Sequence, residues 1–334
     1  MVLSICITSY NRPKELQRCL SSIDVNESQK IEIVISEDVS PKREDIRRVI
    51  NNFVQDSKYR VVPNFNSENL GYDRNLGKLI SLATGEYILF CSDDDAFLPN
   101  QLDYIINILE QNDHAMLLSS YRSKDTFAHN RKYNHDFIIP PGEKSAIKHL
   151  YDGILFSGLI FRRIDIKEID AERFVNTNYF QIYLLLDVLK NKGGYYIKNA
   201  LIDCIGDGEN GYGTTELSKF DPLLSNRKSL YSNIRFNHGL IKVIKLFDIS
   251  EGTDILKAFE HEYSMKTYRG LSRARKISLK ELKKYWKELN KLDISIRFPA
   301  NVYYYMLSIL GAKVCDQLIK IPKNILFSIR KNAF

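Results

Sequence analysis

A chain of 334 residues is longer than one hydrophobic core normally supports, so a main domain with an appended region is expected. Apolar content of 44% and charged content of 27% are those of a folded globular protein, and they exclude a disordered or low-complexity chain. The net charge of +7 is unevenly spread, because residues 225–334 hold 22 Lys and Arg against 9 Asp and Glu; a basic C-terminal third admits an anionic partner there and leaves the remainder mildly acidic.

In chain order, residues 2–8 form an apolar, β-favouring run, closed by Asn11-Arg12-Pro13. Leu16, Cys19, Leu20 and Ile23 then recur at helical spacing. Residues 31–36 predict a second strand, 41–53 a second helix and 59–63 a third strand, an alternation that implies a parallel sheet. A helix over 72–83, with Gly85 as its C-cap, leads into Glu86–Cys91, read as a buried central strand that opens into Ser92-Asp93-Asp94-Asp95. Further on, 102–110 reads as a helix, 115–120 as a strand, 122–136 as a long loop, 154–162 as a strand, 179–189 as a helix ended by Gly193-Gly194, and 195–204 as one or two strands. The first domain is expected to close near residue 215, with helices from about 225 onward.

Three adjacent carboxylates repel one another unless a cation or hydrogen-bond donors compensate, and a hard ion such as Mg²⁺ or Mn²⁺ bridging a diphosphate would do so. The strand end is also where open α/β sheets bind ligands. The alternative for an isolated acidic triplet is a solvated turn or helix cap.

Ile7-Thr8-Ser9-Tyr10-Asn11-Arg12, Ile33 to Asp38, Asn69-Leu70-Gly71-Tyr72-Asp73-Arg74-Asn75 and Gly85 to Pro99 occur in an order that resembles glycosyltransferase family 2, of inverting GT-A type. The resemblance covers the first hundred residues well and the next hundred loosely. In size and later segments the chain looks most like O-antigen sugar transferases of the abequosyltransferase kind. It implies a GT-A, Rossmann-like α/β fold with a mixed, mainly parallel sheet flanked by helices, a donor half over 1–100, an acceptor half over 101–215 and a helical extension over 216–334. The implied donor is a nucleotide-diphosphate sugar, with UDP the first candidate and CDP or dTDP the alternatives.

By position, the resemblance implies that Thr8, Tyr10 and Arg12 line the nucleotide pocket and that Asp38 accepts a hydrogen bond from the base. Asn69 and Arg74 belong to the same donor site, Arg74 facing the diphosphate. Asp93 falls near the ribose, Asp94 on a Mn²⁺ or Mg²⁺ ion, and Asp95 near the donor sugar or the metal. Each has a bland counterpart: a packed loop aromatic for Tyr10, helix capping for Asp38, and an ion pair with Asp73 or Glu68 for Arg74. The glycine-rich run from Cys204 to Gly213 resembles a flap that supplies a further metal or diphosphate contact, with Asp207 as ligand or base and Glu209 second. In the family, the base that deprotonates the acceptor hydroxyl is often a carboxylate at the start of the helix beginning here at Tyr179. Gln181 occupies that place and takes no proton at neutral pH, so Asp170, Glu172, Asp187 and Asp207 stand as substitutes.

Five widely spaced cysteines offer neither a zinc pattern nor a disulfide framework, and the start of the sequence lacks a basic leader, so a cytoplasmic chain is expected. Its six histidines lack metal-ligand spacing. In the basic region, Leu279, Leu282, Trp286 and Leu289 form one stripe, and Val302 to Ala312 is apolar but too short to cross a bilayer. Lying on the inner, anionic face of the cell membrane, where a polyprenyl-linked or other glycan acceptor resides, is the expectation. The competing readings are a solvated face or a homodimer contact; nucleic acid is not expected, because no recognition motif accompanies the charge. For the whole chain, the alternative to a sugar transferase is a nucleotide-sugar-binding or scaffold protein that has lost its base. A nucleotidyltransferase would want a basic glycine-rich loop that residues 8–13 do not supply.

Overall fold

The computed structural model of the protein describes residues 1–123, 133–207, 230–296 and 298–331. It divides into two compact units, Met1–Glu216 and Leu217–Phe334. In the first unit, β1 (Leu3–Ser9), β2 (Ile31–Glu37), β3 (Arg60–Phe65) and β4 (Tyr87–Ser92) are parallel neighbours in the order β3-β2-β1-β4. Strands buried on both faces need continuous apolar runs, and β1 shows why. Leu3, Ile5 and Ile7 enter a core with Leu16 and Leu20 of α1 (Pro13–Ser21) and Ile46 and Ile50 of α2 (Arg43–Asp56). Cys6 faces the other way, its thiol 3.9 Å from the Leu79 carbonyl on α3 (Gly71–Leu82).

Past β4 the sheet becomes mixed. The elements are β5 (Ala96–Phe97), α4 (Gln101–Gln111), β6 (Met116–Ser123), β7 (Phe137–Ile139), α5 (Glu143–His149), β8 (Leu159–Arg162), α6 (Arg163–Ile166), α7 (Phe180–Asn191) and β9 (Gly194–Cys204). β8 lies antiparallel between β4 and β6, β9 runs parallel to β6, and β5 and β7 both pair antiparallel with β9.

Several expectations are corrected. The strand read over 154–162 is confined to β8, because Leu150–Gly153 forms a 3-10 turn and Gly158 adopts φ 89°, a left-handed conformation that interrupts extended chain. β5, β7 and α5 were not foreseen, being too short to establish a period. Gly85 is not a helix cap: α3 ends at Leu82, and a Cβ on Gly85 would lie 2.8 Å from the Ser4 nitrogen and 2.9 Å from the Leu3 carbonyl carbon. Its role is close approach to β1. Gly193, by contrast, terminates α7 as expected, with φ 74° and its N–H bonded to the Val188 carbonyl at 3.0 Å.

The second unit, taken by itself, contains α8 (Ser232–Glu251), α9 (Ile255–Lys266), α10 (Tyr268–Ile277), α11 (Leu279–Leu289) and α12 (Phe298–Lys331), the last broken at Gly311. Ser278 caps α11 by accepting the Glu281 N–H at 2.9 Å. The buried stripe of α11 is Leu282, Tyr285 and Leu289; Leu279 is exposed, and Trp286 stacks on Tyr304 of α12. Among the described residues no helix is long and apolar enough to cross a membrane.

Candidate donor and metal site

Thr8 pairs with Ser36 on one side and Ser92 on the other, so the carboxyl ends of β1, β2 and β4 finish level. The chain segments leaving them, Tyr10 to Arg12, Asp38 to Ser40 and Asp93 to Asp95, therefore share one rim of the sheet. This is the crevice position for ligands in open α/β folds. Two of the exits are strained: Asn11 has φ 62° and the β-branched Val39 has φ 53°. A left-handed β-branched residue costs on the order of 1–3 kcal/mol and persists where surroundings hold it, here Glu37, which accepts the Val39 and Ser40 N–H groups.

The three aspartates are buried and meet different partners. Asp93 accepts the Tyr10 N–H at 3.1 Å and Arg12 Nη1 at 2.9 Å. The same Nη1 lies 2.9 Å from Asp94 Oδ1, which also takes the Ser92 hydroxyl. Asp95 accepts from the Ser157 hydroxyl at 2.6 Å and from the Ile205 N–H at 3.1 Å, tying the end of β4 to the chain that follows β9. Burial pushes Asp93 up to about 7 and Asp95 up to about 6, against the hydrogen bonds and the Arg12 charge that favour ionisation. Arg12, expected beside the nucleotide, thus neutralises the acidic run.

Asp207 stands 49% exposed on the strand exit after β9, and Arg18 of α1 forks onto both its oxygens at 2.9 and 2.7 Å. Arg18 Nη2 also donates to the Asp94 carbonyl at 2.8 Å. The rest of the expected flap, Gly208 to Gly213 with Glu209, lies outside the described residues. Arg18 and Ser157 escaped the sequence reading. The serine inside the apolar run Ile154–Arg162 was the available signal; Arg18, on a helix face, gave none.

Asp38 holds the start of α3. Its carboxylate accepts the Leu70 and Gly71 N–H groups at 2.7 and 2.9 Å and the Asn66 amide at 2.9 Å, while Asn69 donates to the Asp38 carbonyl at 2.9 Å. The cap is therefore on α3, not on the helix after Ser40. Burial nonetheless raises its pKa. Arg74 pairs with Glu172, not with Asp73 or Glu68, at 2.7 and 2.9 Å. That brings one candidate diphosphate ligand and one candidate base onto each other, and the arginine lowers the Glu172 pKa. Asp170 is exposed and caps the 3-10 turn Ala171–Phe174 by accepting the Glu172 N–H at 2.9 Å. Asp187 accepts from Asn191. Gln181 is buried, receiving the Tyr72 hydroxyl at 3.0 Å and facing the Gly153 carbonyl at 3.5 Å.

A divalent ion of this type is held through one or two carboxylates together with substrate phosphate oxygens. Arg18 touches the backbone carbonyl of Asp94 and the carboxylate of Asp207, which brings the two residues to one place, and their oxygens are of the hard type such an ion takes once Arg18 releases Asp207, so the residues fit. Asp95, also expected in the metal shell, has both oxygens engaged by protein donors. Among the described residues no three His, Cys, Asp or Glu side chains form a protein-only metal cage.

A family model described as Glycosyl transferase family 2 matches residues 4–170, half of the chain. Abequosyltransferase RfbV of Salmonella typhimurium is 24% identical over 227 residues, 63% of this chain and 68% of that protein. Seven further curated relatives are matched over only 23–40% of their length. Among solved structures, S. aureus TarS 1-349 in complex with UDP-GlcNAc superposes with TM-score 0.54 at 11% identity, covering 92% of this chain and 91% of that one. The mannosyltransferase PcManGT of Pyrobaculum calidifontis, in complex with GDP-Man and Mn²⁺, gives 0.50 at 13% identity over 95% and 86%. At such identities the two structures speak for the fold, which is GT-A.

Proposed function

The chain belongs to glycosyl transferase family 2, and from that premise we propose that it moves a sugar, in a metal-dependent inverting reaction, from a nucleotide-diphosphate donor to a glycan or lipid-linked glycan. The observation that carries this reading is the convergence of Asp94 and Asp207 beside the Thr8 to Arg12 exit, with Arg12 and Arg18 lending positive charge. A bound Mn²⁺ or Mg²⁺ would offset charge on the departing diphosphate. Asp94 and Asp207 would hold it, with Arg18 yielding its contacts. Thr8 and the Tyr10 ring line the nucleotide side, UDP first among candidates, and Asp38 with Asn69 keeps the start of α3 against it. Arg74 clamps the diphosphate through its planar fork.

Before donor binds, Glu172 and Asp207 are each held on both oxygens by an arginine, whereas Asp170 is exposed, so of these three Asp170 is the first choice of proton acceptor, with Glu172 next once Arg74 turns to the diphosphate. The second unit is proposed to rest on an anionic leaflet at the inner face of the cell membrane, supported by its basic charge and by Phe298, Tyr305, Ile309 and Leu310 standing exposed on α12. The relationship to an abequosyltransferase favours a role in surface polysaccharide assembly.

The test is a panel of UDP-, GDP-, CDP- and dTDP-sugars, followed for transfer to alkyl glycosides and for hydrolysis. Turnover of one donor that stops with EDTA and returns with Mn²⁺ is expected. Binding of a donor without turnover by any acceptor or water would favour the scaffold alternative, to which the buried Gln181 lends its support.

A further inference from the structure

Three consecutive residues at the start of α3 each bind the segment that leads into α7. The Tyr72 hydroxyl donates to Gln181 Oε1 at 3.0 Å. Asp73 accepts the backbone N–H groups of Thr177, Asn178 and Phe180 at 3.0, 2.9 and 3.1 Å, and the Thr177 hydroxyl at 3.3 Å. Arg74 forks onto Glu172. Successive helical side chains point about 100° apart, so one segment can meet all three only by wrapping around the helix start.

The three contacts are unequal. Asp73 is buried, and both its oxygens are used. Asn176 and Asn178, with φ 65° and 60°, wind the turn so that its N–H groups converge on that carboxylate, the concave arrangement that binds anions. Tyr179, at the N-cap of α7, provides no side-chain cap; Asp73 serves the orphan amides of that helix from a different one. The Arg74 and Glu172 side chains are 42% and 58% exposed, and water screens an ion pair so open, so a diphosphate can displace Glu172 from the guanidinium. α3 is in turn held from the β2 exit by Asp38.

We propose that Asp73 is a positioning residue that locks the first turn of α7 to α3, so that donor occupancy at the start of α3 is transmitted to the acceptor side of the site. This rests on the reading above, in which α3 borders the donor diphosphate. The fixed carboxylate makes α7 follow α3, and the Arg74 to Glu172 pair opens when the diphosphate takes the guanidinium. Residues 170–174 are then released while 177–180 stay anchored.

The experiment is hydrogen exchange of the full chain with and without Mn²⁺ plus whichever of UDP, GDP, CDP or dTDP gives the largest thermal shift. In the parent, nucleotide should slow exchange at 177–180 by about tenfold, the scale of an ordinary coupling between sites, and speed it at 171–174. In Asp73→Asn the nucleotide affinity should persist while the effect at 177–180 disappears. Tyr72→Phe, a milder break in the same link, keeps the test alive if Asp73→Asn does not fold; it should reduce the effect. If nucleotide binds but leaves exchange at 177–180 unchanged in the parent, or if the folded Asp73→Asn transmits it fully, the proposal is overturned. If no nucleotide binds, or Arg74→Gln leaves nucleotide affinity intact, it is the donor reading of α3 that fails.

Discussion

Asp93, Asp94 and Asp95 are neighbours in sequence with three different environments. Asp93 is sealed under Arg12 and the Tyr10 N–H, Asp94 meets Arg12 and Ser92, and Asp95 turns to Ser157 and Ile205. The sequence showed that the charge needed compensation but not which groups supply it, since Arg12 lies 81 positions and Ser157 62 positions away along the chain. The same blindness hid Asp73, whose partners lie more than a hundred residues downstream. Burial raises the pKa of Asp93 to about 7 and of Asp95 to about 6. Both folded values exceed an unfolded carboxylate's ~3.9, so the folded state binds more protons, and the stability these groups contribute is full below about pH 4 and lost as pH rises through 6 and 7. The metal-free protein should therefore show a falling unfolding temperature from about pH 5 to about pH 8, and Asp93→Asn should flatten that slope. An equally steep decline in the variant would show that other groups set it.

Among elements, the parallel β1 to β4 half was legible because β1, β2 and β4 are mainly apolar runs and the helices after β1 and β2 have clear periodicity, which leaves the more polar β3 placed by the alternation. Two-residue β5 and three-residue β7 carry no such period, and both exist only because β9 offers them an edge. Glu32 shows what holds the legible half together. This buried carboxylate accepts from Ser4, from Thr84 through both N–H and hydroxyl, and from the Gly85 N–H, linking β2, β1 and the approach to β4. Gly85 is pressed against β1 so closely that an added Cβ would lie 2.7 Å from Ser4 Oγ. Gly85→Ala should then cost about 1–3 kcal/mol or more, as overpacking does, read as a lower denaturation midpoint with unchanged slope. A midpoint within error of the parent would mean that the strand moves aside freely.

At the scale of the molecule, the chain combines a first unit whose sheet rim carries Asp93 to Asp95 with a basic helical unit. From Ile294 to Cys315, 22 residues pass without one acidic side chain, and this stretch presents Phe298, Tyr305, Ile309 and Leu310 to solvent. Each cation near an anionic leaflet adds about 1 kcal/mol, so the full chain should sediment with phosphatidylglycerol vesicles at low salt, and Ile309→Asp should weaken that several-fold. Failure of the parent to sediment would remove the membrane role; equal binding by the variant would leave charge alone as its cause. The family, the GT-A fold and the transferase activity stood in the order and spacing of four sequence motifs, whereas the base did not, because the position that usually shows it holds a buried glutamine. Whether Asp94 serves metal and diphosphate together is read most directly by calorimetric binding of the nucleoside diphosphate of the turned-over donor, with Mn²⁺, to the parent and to Asp94→Asn. A drop in affinity of about tenfold or more, matched by EDTA in the parent and accompanied by lost turnover, is the predicted result. Equal affinity and turnover in a folded Asp94→Asn would contradict it.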